Sequence, residues 1–228
     1  MIKTRDITIL GTGISGLGSA KLAKKLGINV FISDKNIIEK NVKKHLIKNE
    51  IGYEENGHNL KRLLNPDQVI ISPGISFTAL KKSFPEINEN KFISEIEFAS
   101  RHTDAFIIAV TGSNGKTTTA SLIYHLLKES GFNVGLAGNV GVSFAESVCD
   151  FSYDYYVLEV SSFQLDHITN FKPNISIITN ITPDHLDRYD QSFQNYINSK
   201  FGIVKNQKNE DYFISVSYTH LTLPTILL

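Results

Sequence analysis

The chain has 228 residues, 41% of them hydrophobic, and 23 lysines and arginines balance 23 aspartates and glutamates. That length supports one large domain or two small ones, and the even charge sets up no net field for nucleic acid or an anionic membrane surface. A single cysteine, Cys149, excludes an internal disulfide, and no uninterrupted apolar stretch reaches the roughly 20 residues needed to span a bilayer. The opening MIKTRDITIL runs straight into a strand-like segment and does not read as a signal peptide. A cytoplasmic protein is expected, with no nucleic-acid or membrane partner.

In chain order, apolar runs rich in Val, Ile, Phe and Tyr predict strands over 7–10, 30–33, 69–72, 106–110, 134–137, 155–160, 175–180 and 212–216. Amphipathic stretches lie between them. In 117–130, Leu122, Ile123, Leu126 and Leu127 read as one apolar stripe of a helix. Strand–helix alternation predicts parallel sheets flanked by helices, an α/β architecture. A domain boundary is expected near residue 100, where the helical ISEIEFAS leads through a short polar joint (101–104) into the strand FIIAV. So short a joint predicts that the two domains pack together.

Each half opens with a strand, a glycine turn and a helix. In the first, Gly11, Gly13 and Gly16 follow ITIL. Glycines there let backbone approach a phosphate at the helix N-terminus. Asp34, at the end of the next strand, is either a ribose ligand or a plain turn residue. Three readings stay open for this turn: a dinucleotide, another nucleotide or nucleotide sugar, or close strand–helix packing alone.

In the second, TGSNGKTT follows FIIAV. Its backbone N–H groups cradle phosphates, Lys116 neutralises them, and the Thr117 hydroxyl is placed for Mg²⁺. The spacing is a shorter variant of the usual phosphate loop, since Gly112 lies only three residues before Gly115. Glu159 ends the run YYVLEV, at the sheet edge where parallel sheets bind ligands; the plainer reading is an edge-strand salt bridge. His185 follows the strand at 175–180, as a metal or substrate contact or as a structural histidine. Asp187 and Arg188 read as fixing that loop. Lys200, taken alone, reads as an ordinary solvated helix lysine.

Together these residues resemble the Mur ligase family, ATP-dependent amide ligases of peptidoglycan synthesis. The resemblance rests on TGSNGKTTT, GNVG (138–141), LEVSSFQL (158–165) and NITPDHLDRY (180–189), with GTGISGLG and SPGIS (72–76) in the first half. SSFQL and SPGI point to members that add D-glutamate to UDP-N-acetylmuramoyl-L-alanine. The resemblance covers residues 5 to about 214.

It implies a dinucleotide-binding-like N-terminal domain (1–100) that holds the UDP substrate. An incomplete P-loop-type ATPase domain (101–216) follows. Ile14, Ser15, Asp34, Lys35, Ser72 and Gly74 are expected along the nucleotide sugar, with Asn139 and His185 at its muramoyl-alanine end. Gly112, Ser113, Asn114, Gly115, Lys116, Thr117 and Thr118 are expected on the ATP phosphates. Thr117 and Glu159, with Lys200 as a carbamate, are expected at magnesium. Lys116, His185 and Lys200 carry the catalytic roles. The reaction implied passes through an acyl phosphate, and family members act as monomers.

Family members continue for about as long again, and SYTHLTLPTILL carries no family motif. Residues 217–228 therefore read as an atypical tail, and the chain as a fragment that is inactive alone. Three alternatives remain: a sibling ligase adding another amino acid, a dehydrogenase built on Gly11–Gly16 and Asp34, and a non-catalytic nucleotide-sugar-binding module.

Overall fold

The structure, a computed structural model, describes residues 5–216; the expected atypical tail at 217–228 lies outside the described residues. Two parallel sheets follow one another along the chain. The first is ordered β3-β2-β1-β4-β5, from β1 (Asp6–Leu10), β2 (Asn29–Ser33), β3 (Gly52–Glu54), β4 (Gln68–Ile71) and β5 (Phe92–Ser94). The second is ordered β10-β9-β6-β8-β7, from β6 (Phe106–Thr111), β7 (Val134–Gly138), β8 (Tyr155–Glu159), β9 (Ile175–Ile178) and β10 (Tyr212–Ser215). Every pairing is parallel, so helices must carry the chain back between strands. These are α1 (Ile14–Lys25), α2 (Lys40–Lys48), α3 (Leu60–Leu64), α4 (Phe77–Ser83), α5 (Glu95–Ser100), α6 (Lys116–Glu129), α7 (Phe144–Asp150), α8 (Ser162–Leu165) and α9 (Phe193–Phe201).

Eight strands stand where the apolar runs predict them, with ends shifted by one or two residues. β3 and β5, three residues each, escape the sequence reading. The α6 stripe is corrected. Ile123, Tyr124 and Leu127 pack against the sheet, whereas Leu122 and Leu126 face outward at 55% and 57% exposure. Rows 122/126 and 123/127 are adjacent on a helix, so both satisfy the same spacing and only the sheet chooses between them. β10 lies outermost among the described strands, with Tyr212, Phe213 and Ile214 exposed.

The two sheets share one buried cluster. Ala20 and Ala23 of α1, Ile96 and Phe98 of α5, and Phe144 and Ala145 of α7 meet within it. α1 approaches α7 so closely that a Cβ on Gly18 would lie 1.9 Å from Ser143 Oγ. At the rim Lys21 reaches Asp150 (2.5 Å) and Glu146 (3.3 Å).

α5 ties the two halves with two fully buried carboxylates. Glu97 Oε2 accepts the N–H groups of Thr169, Asn170 and Phe171 at 2.9, 2.9 and 2.7 Å, and its other oxygen pairs with Arg101 at 2.7 Å. Three backbone donors and a guanidinium compensate its burial. Glu95 accepts from Ala145 N–H, but its Oε2 has no hydrogen-bond partner among the described residues. Burial pushes its pKa up to about 7, against the pull of the Ala145 and Phe144 amides. No described helix is long and apolar enough to cross a membrane.

Candidate functional site

The second glycine turn joins β6 to α6 at the C-terminal end of the sheet. Gly112 has φ +149°, and a Cβ there would lie 2.0 Å from Thr179 Oγ1, so only glycine fits between β6 and the β9 loop. The turn is gripped from that loop. Ser113 Oγ donates to Thr182 O (2.8 Å) and accepts from Thr182 N–H (2.9 Å), and Asn114 N–H donates to Asn180 Oδ1 (3.0 Å). Gly115 caps α6, leaving Lys116, Thr117 and Thr118 on the first helical turn, where free N–H groups favour an anion.

Lys116 Nζ curls back to the carbonyls of Gly112 (2.9 Å) and Ser113 (3.0 Å). Lys200, from α9, donates to the same Gly112 carbonyl at 2.8 Å. Two lysine amines thus share one carbonyl acceptor. Lys200 is 1% exposed and lies over the Tyr196 ring, 4.6 Å from its centroid. The solvated reading of Lys200 is therefore overturned. Burial, and then the Lys116 charge, lower its pKa to about 7.

Glu159 ends β8, an interior strand, and is 3% exposed. The edge-strand salt bridge is also overturned, since no base among the described residues meets this carboxylate. Glu159 Oε2 instead accepts the Thr117 hydroxyl at 2.6 Å and Oε1 accepts Asn139 Nδ2 at 2.8 Å. A hydroxyl beside a carboxylate is a hard oxygen pair of the kind Mg²⁺ takes. No group of three or more His, Cys, Asp or Glu side chains among the described residues could hold a metal ion. Any magnesium at this pair would need phosphate and water to complete its shell.

A cavity of about 230 Å³ opens beside this cluster. Lys116, Asn139, His185 and Lys200 line it from the second half, and Pro73 and Gly74 from the first. His185 stands in the left-handed region (φ +50°), its Nε2 3.5 Å from Asp184. The fold therefore brings Gly74, Lys116, Asn139, His185 and Lys200 to one cavity, with Thr117 and Glu159 adjoining.

Ile14, Ser15, Asp34 and Lys35 stand apart, at the first turn. Asp34 Oδ2 accepts both the N–H (2.9 Å) and the hydroxyl (2.7 Å) of Thr12, and Oδ1 accepts Asn36 N–H (2.9 Å). Burial alone would raise its pKa, but the bonds from Asn36 and Thr12 outweigh it and hold the carboxyl below the usual range. Ile14 opens α1 with its side chain 66% exposed, and Lys35 is exposed. Ser72 is half-buried against Gly11, its hydroxyl without a hydrogen-bond partner among the described residues.

Tyr196 escaped the sequence reading. Its hydroxyl meets Ser113 Oγ at 3.0 Å, linking the phosphate turn to α9. The available signal is its place four residues before Lys200, on the same helix face.

Residues 6–79 match the MurD N-terminal domain and residues 110–221 the Mur ligase middle domain. The chain belongs to the Mur ligase family. Among curated relatives, the UDP-N-acetylmuramoylalanine–D-glutamate ligase of Bacteroides fragilis is 52% identical over 210 residues, covering 92% of this chain and 47% of that one. The enzyme of the same name from Christiangramia forsetii is 50% identical, again over 92% of this chain and 47% of its own. This member of the family thus spans about half the length of the curated relatives it matches. The Mur ligase fold is shared with the UDP-N-acetylmuramate-alanine ligase MurC of Thermotoga maritima (TM-score 0.52, 23% identity, 92% of this chain and 48% of that one). It is also shared with the UDP-N-acetylmuramate:L-alanyl-gamma-D-glutamyl-meso-diaminopimelate ligase of Neisseria meningitides (TM-score 0.56, 20% identity, 93% and 71%).

Proposed function

We propose that this chain provides the nucleotide-sugar and ATP sites of a ligase that joins D-glutamate to UDP-N-acetylmuramoyl-L-alanine in peptidoglycan precursor synthesis. The observation that carries this reading is the convergence of Lys116 and Lys200 on the Gly112 carbonyl, beside the Thr117–Glu159 pair. The Lys116 ammonium at a helix N-terminus suits a polyphosphate, and the oxygen pair suits the magnesium that travels with it. The substrate assignment draws on the relatives' names, and the dehydrogenase alternative leaves Lys116, Glu159 and Lys200 unused.

In this reading Gly112 to Thr118 bind the ATP phosphates, with Thr117 and Glu159 holding Mg²⁺. Ile14, Ser15, Asp34, Lys35, Ser72 and Gly74 follow the uridine diphosphate, and Asn139 and His185 meet the muramoyl-alanine end. The alanyl carboxylate attacks the γ-phosphorus of ATP, the bond to the β-phosphate oxygen breaks, and ADP leaves. The amine of D-glutamate attacks the resulting acyl phosphate, loses a proton, and expels inorganic phosphate. Lys116 stabilises charge on the transferring group, while magnesium when bound supplies Lewis acidity there. Holding two polyanions side by side provides much of the rate.

Lys200 acts as a carbamate. Its amine is partly neutral near pH 7, the form that adds to CO₂ with loss of a proton, and the product anion faces Lys116. The protein works in the cytoplasm, where its nucleotide substrates are made, and as a monomer. Calorimetric titration with MgATP, UDP-N-acetylmuramoyl-L-alanine and NAD tests the reading. Binding of the first two and not of NAD is expected; binding of NAD alone would reverse it.

A further inference from the structure

Pro73 and Gly74 of the turn 72–76 close one wall of the shared cavity, and their own half holds the turn through Ile75, packed on its core, and Ser76, which caps α4. Pro73 has no amide proton and Gly74 no side chain. Within the turn, Ile75 N–H donates to Ser72 O at 3.0 Å, and Ser72 N–H ties back to Leu10 O at 3.2 Å. Two carbonyls of the turn are taken up from the other half. Arg188 Nη2 donates to Ile75 O at 3.1 Å and to Pro73 O at 3.4 Å.

Arg188 is itself held on two sides. Its guanidinium lies over the Phe163 ring, 4.4 Å from the centroid. Its backbone N–H donates to His185 O at 3.0 Å, closing the short turn that presents His185 to the cavity. Phe163 in turn packs against both His185 and Tyr189, with ring centroids 5.3 and 5.9 Å away. A guanidinium is suited to this place. Its plane stacks on an aromatic face while its edge presents several fixed N–H donors, which an ammonium cannot reproduce.

We propose that Arg188 is a positioning residue that registers the 72–76 turn against the His185 loop, and so sets the affinity for the nucleotide sugar. The inference rests on the reading of that turn as part of the nucleotide-sugar site. Arg188 lines the cavity but directs its guanidinium hydrogen bonds to Pro73 and Ile75 rather than to the 112–118 turn, so its loss separates the two ligands. A bare structural role would weaken both ligands together. A direct ionic role toward the substrate would survive replacement by lysine.

The test compares wild type, Arg188→Ala and Arg188→Lys in the full chain, with two readouts. In hydrogen exchange, both variants should show about tenfold faster exchange at the amides of residues 74–77 and unchanged exchange at 112–118. In calorimetry, both should bind UDP-N-acetylmuramoyl-L-alanine about tenfold more weakly, while MgATP affinity changes by less than about twofold. Unchanged exchange at 74–77 overturns the tie. Recovery of sugar-nucleotide affinity in Arg188→Lys, or equal loss of both ligands, overturns the positioning role. A wild-type chain that fails to bind the sugar nucleotide defeats the functional reading instead, and the exchange readout still decides whether Arg188 holds the turn.

Discussion

The two glycine turns share a backbone plan and differ in almost everything attached to it. β1 and β6 each run into a glycine turn that opens a helix at the C-terminal edge of a parallel sheet. α1 buries its small residues, Gly16, Gly18, Ser19 and Ala20, with Gly16 against Gly11 and Ile9 of its own half and Gly18 against Ser143 across the junction. Of α6 only Ala120 is fully buried, and its first turn carries Lys116 and Thr117 into the cavity. The first turn is drawn together by one acid, Asp34; the second is surrounded by two lysines. A strand–turn–helix unit thus supplies backbone donors, and later parts of the chain decide what those donors hold. Disturbing the α1 side should cost stability, and disturbing the α6 side should cost a ligand.

The largest loss of stability is expected where α5 fastens the halves. Glu97→Ala would strand three buried N–H groups and Arg101. A cost of about 3–5 kcal/mol follows from removing one partner of a buried charge pair, readable as a lowered urea midpoint. Glu95 comes next and adds a pH dependence. Its pKa lies near 7 in the fold, above the 4.5 of an ordinary glutamate, so folding favours its protonated form. Its contribution is most favourable below about pH 4.5, declines as pH rises toward 7, and levels off beyond. The decline amounts to roughly 3 kcal/mol. The difference in unfolding free energy between wild type and Glu95→Gln should follow that curve, and a difference independent of pH would refute it.

Gly18→Ala pushes a methyl group into Ser143 and should destabilise by about 1–3 kcal/mol, with MgATP affinity retained. At the small end, Leu122→Gln on the outward row of α6 should shift stability by no more than about 0.5 kcal/mol, whereas Leu127→Ala on the inward row should cost about 2 kcal/mol or more. Equal effects at the two positions would mean that α6 is rotated from the packing described.

Much of this arrangement is legible in the chain itself. Apolar runs ending in Gly, Ser or Asn mark eight of the ten strands among the described residues, and the turns mark both sheet edges. β3 and β5 escape because three residues give no period to read, and each is defined by its neighbour strand. The outward turn of Leu122 escapes because helical spacing alone does not say which of two adjacent rows meets a sheet. Lys200 shows the wider limit. Nothing local distinguishes it from a solvated lysine, and its burial comes from Gly112, 88 residues earlier, and from Tyr196 beneath it. Asp34 was open between turn residue and ligand, and its three accepted bonds within 12–36 show that it serves the turn at the least.

The central claim is that the two turns hold two different ligands, a nucleotide sugar at the first and MgATP at the second. Its most direct test is a crossed titration of wild type, Asp34→Ala and Lys116→Ala, each with UDP-N-acetylmuramoyl-L-alanine and with MgATP. Lys116→Ala should weaken MgATP at least about tenfold and leave the sugar nucleotide within about twofold, since one charge-assisted contact is lost at one site only. Asp34→Ala should do the reverse. Loss of both ligands in either folded variant, or of the wrong ligand in each, would contradict the assignment.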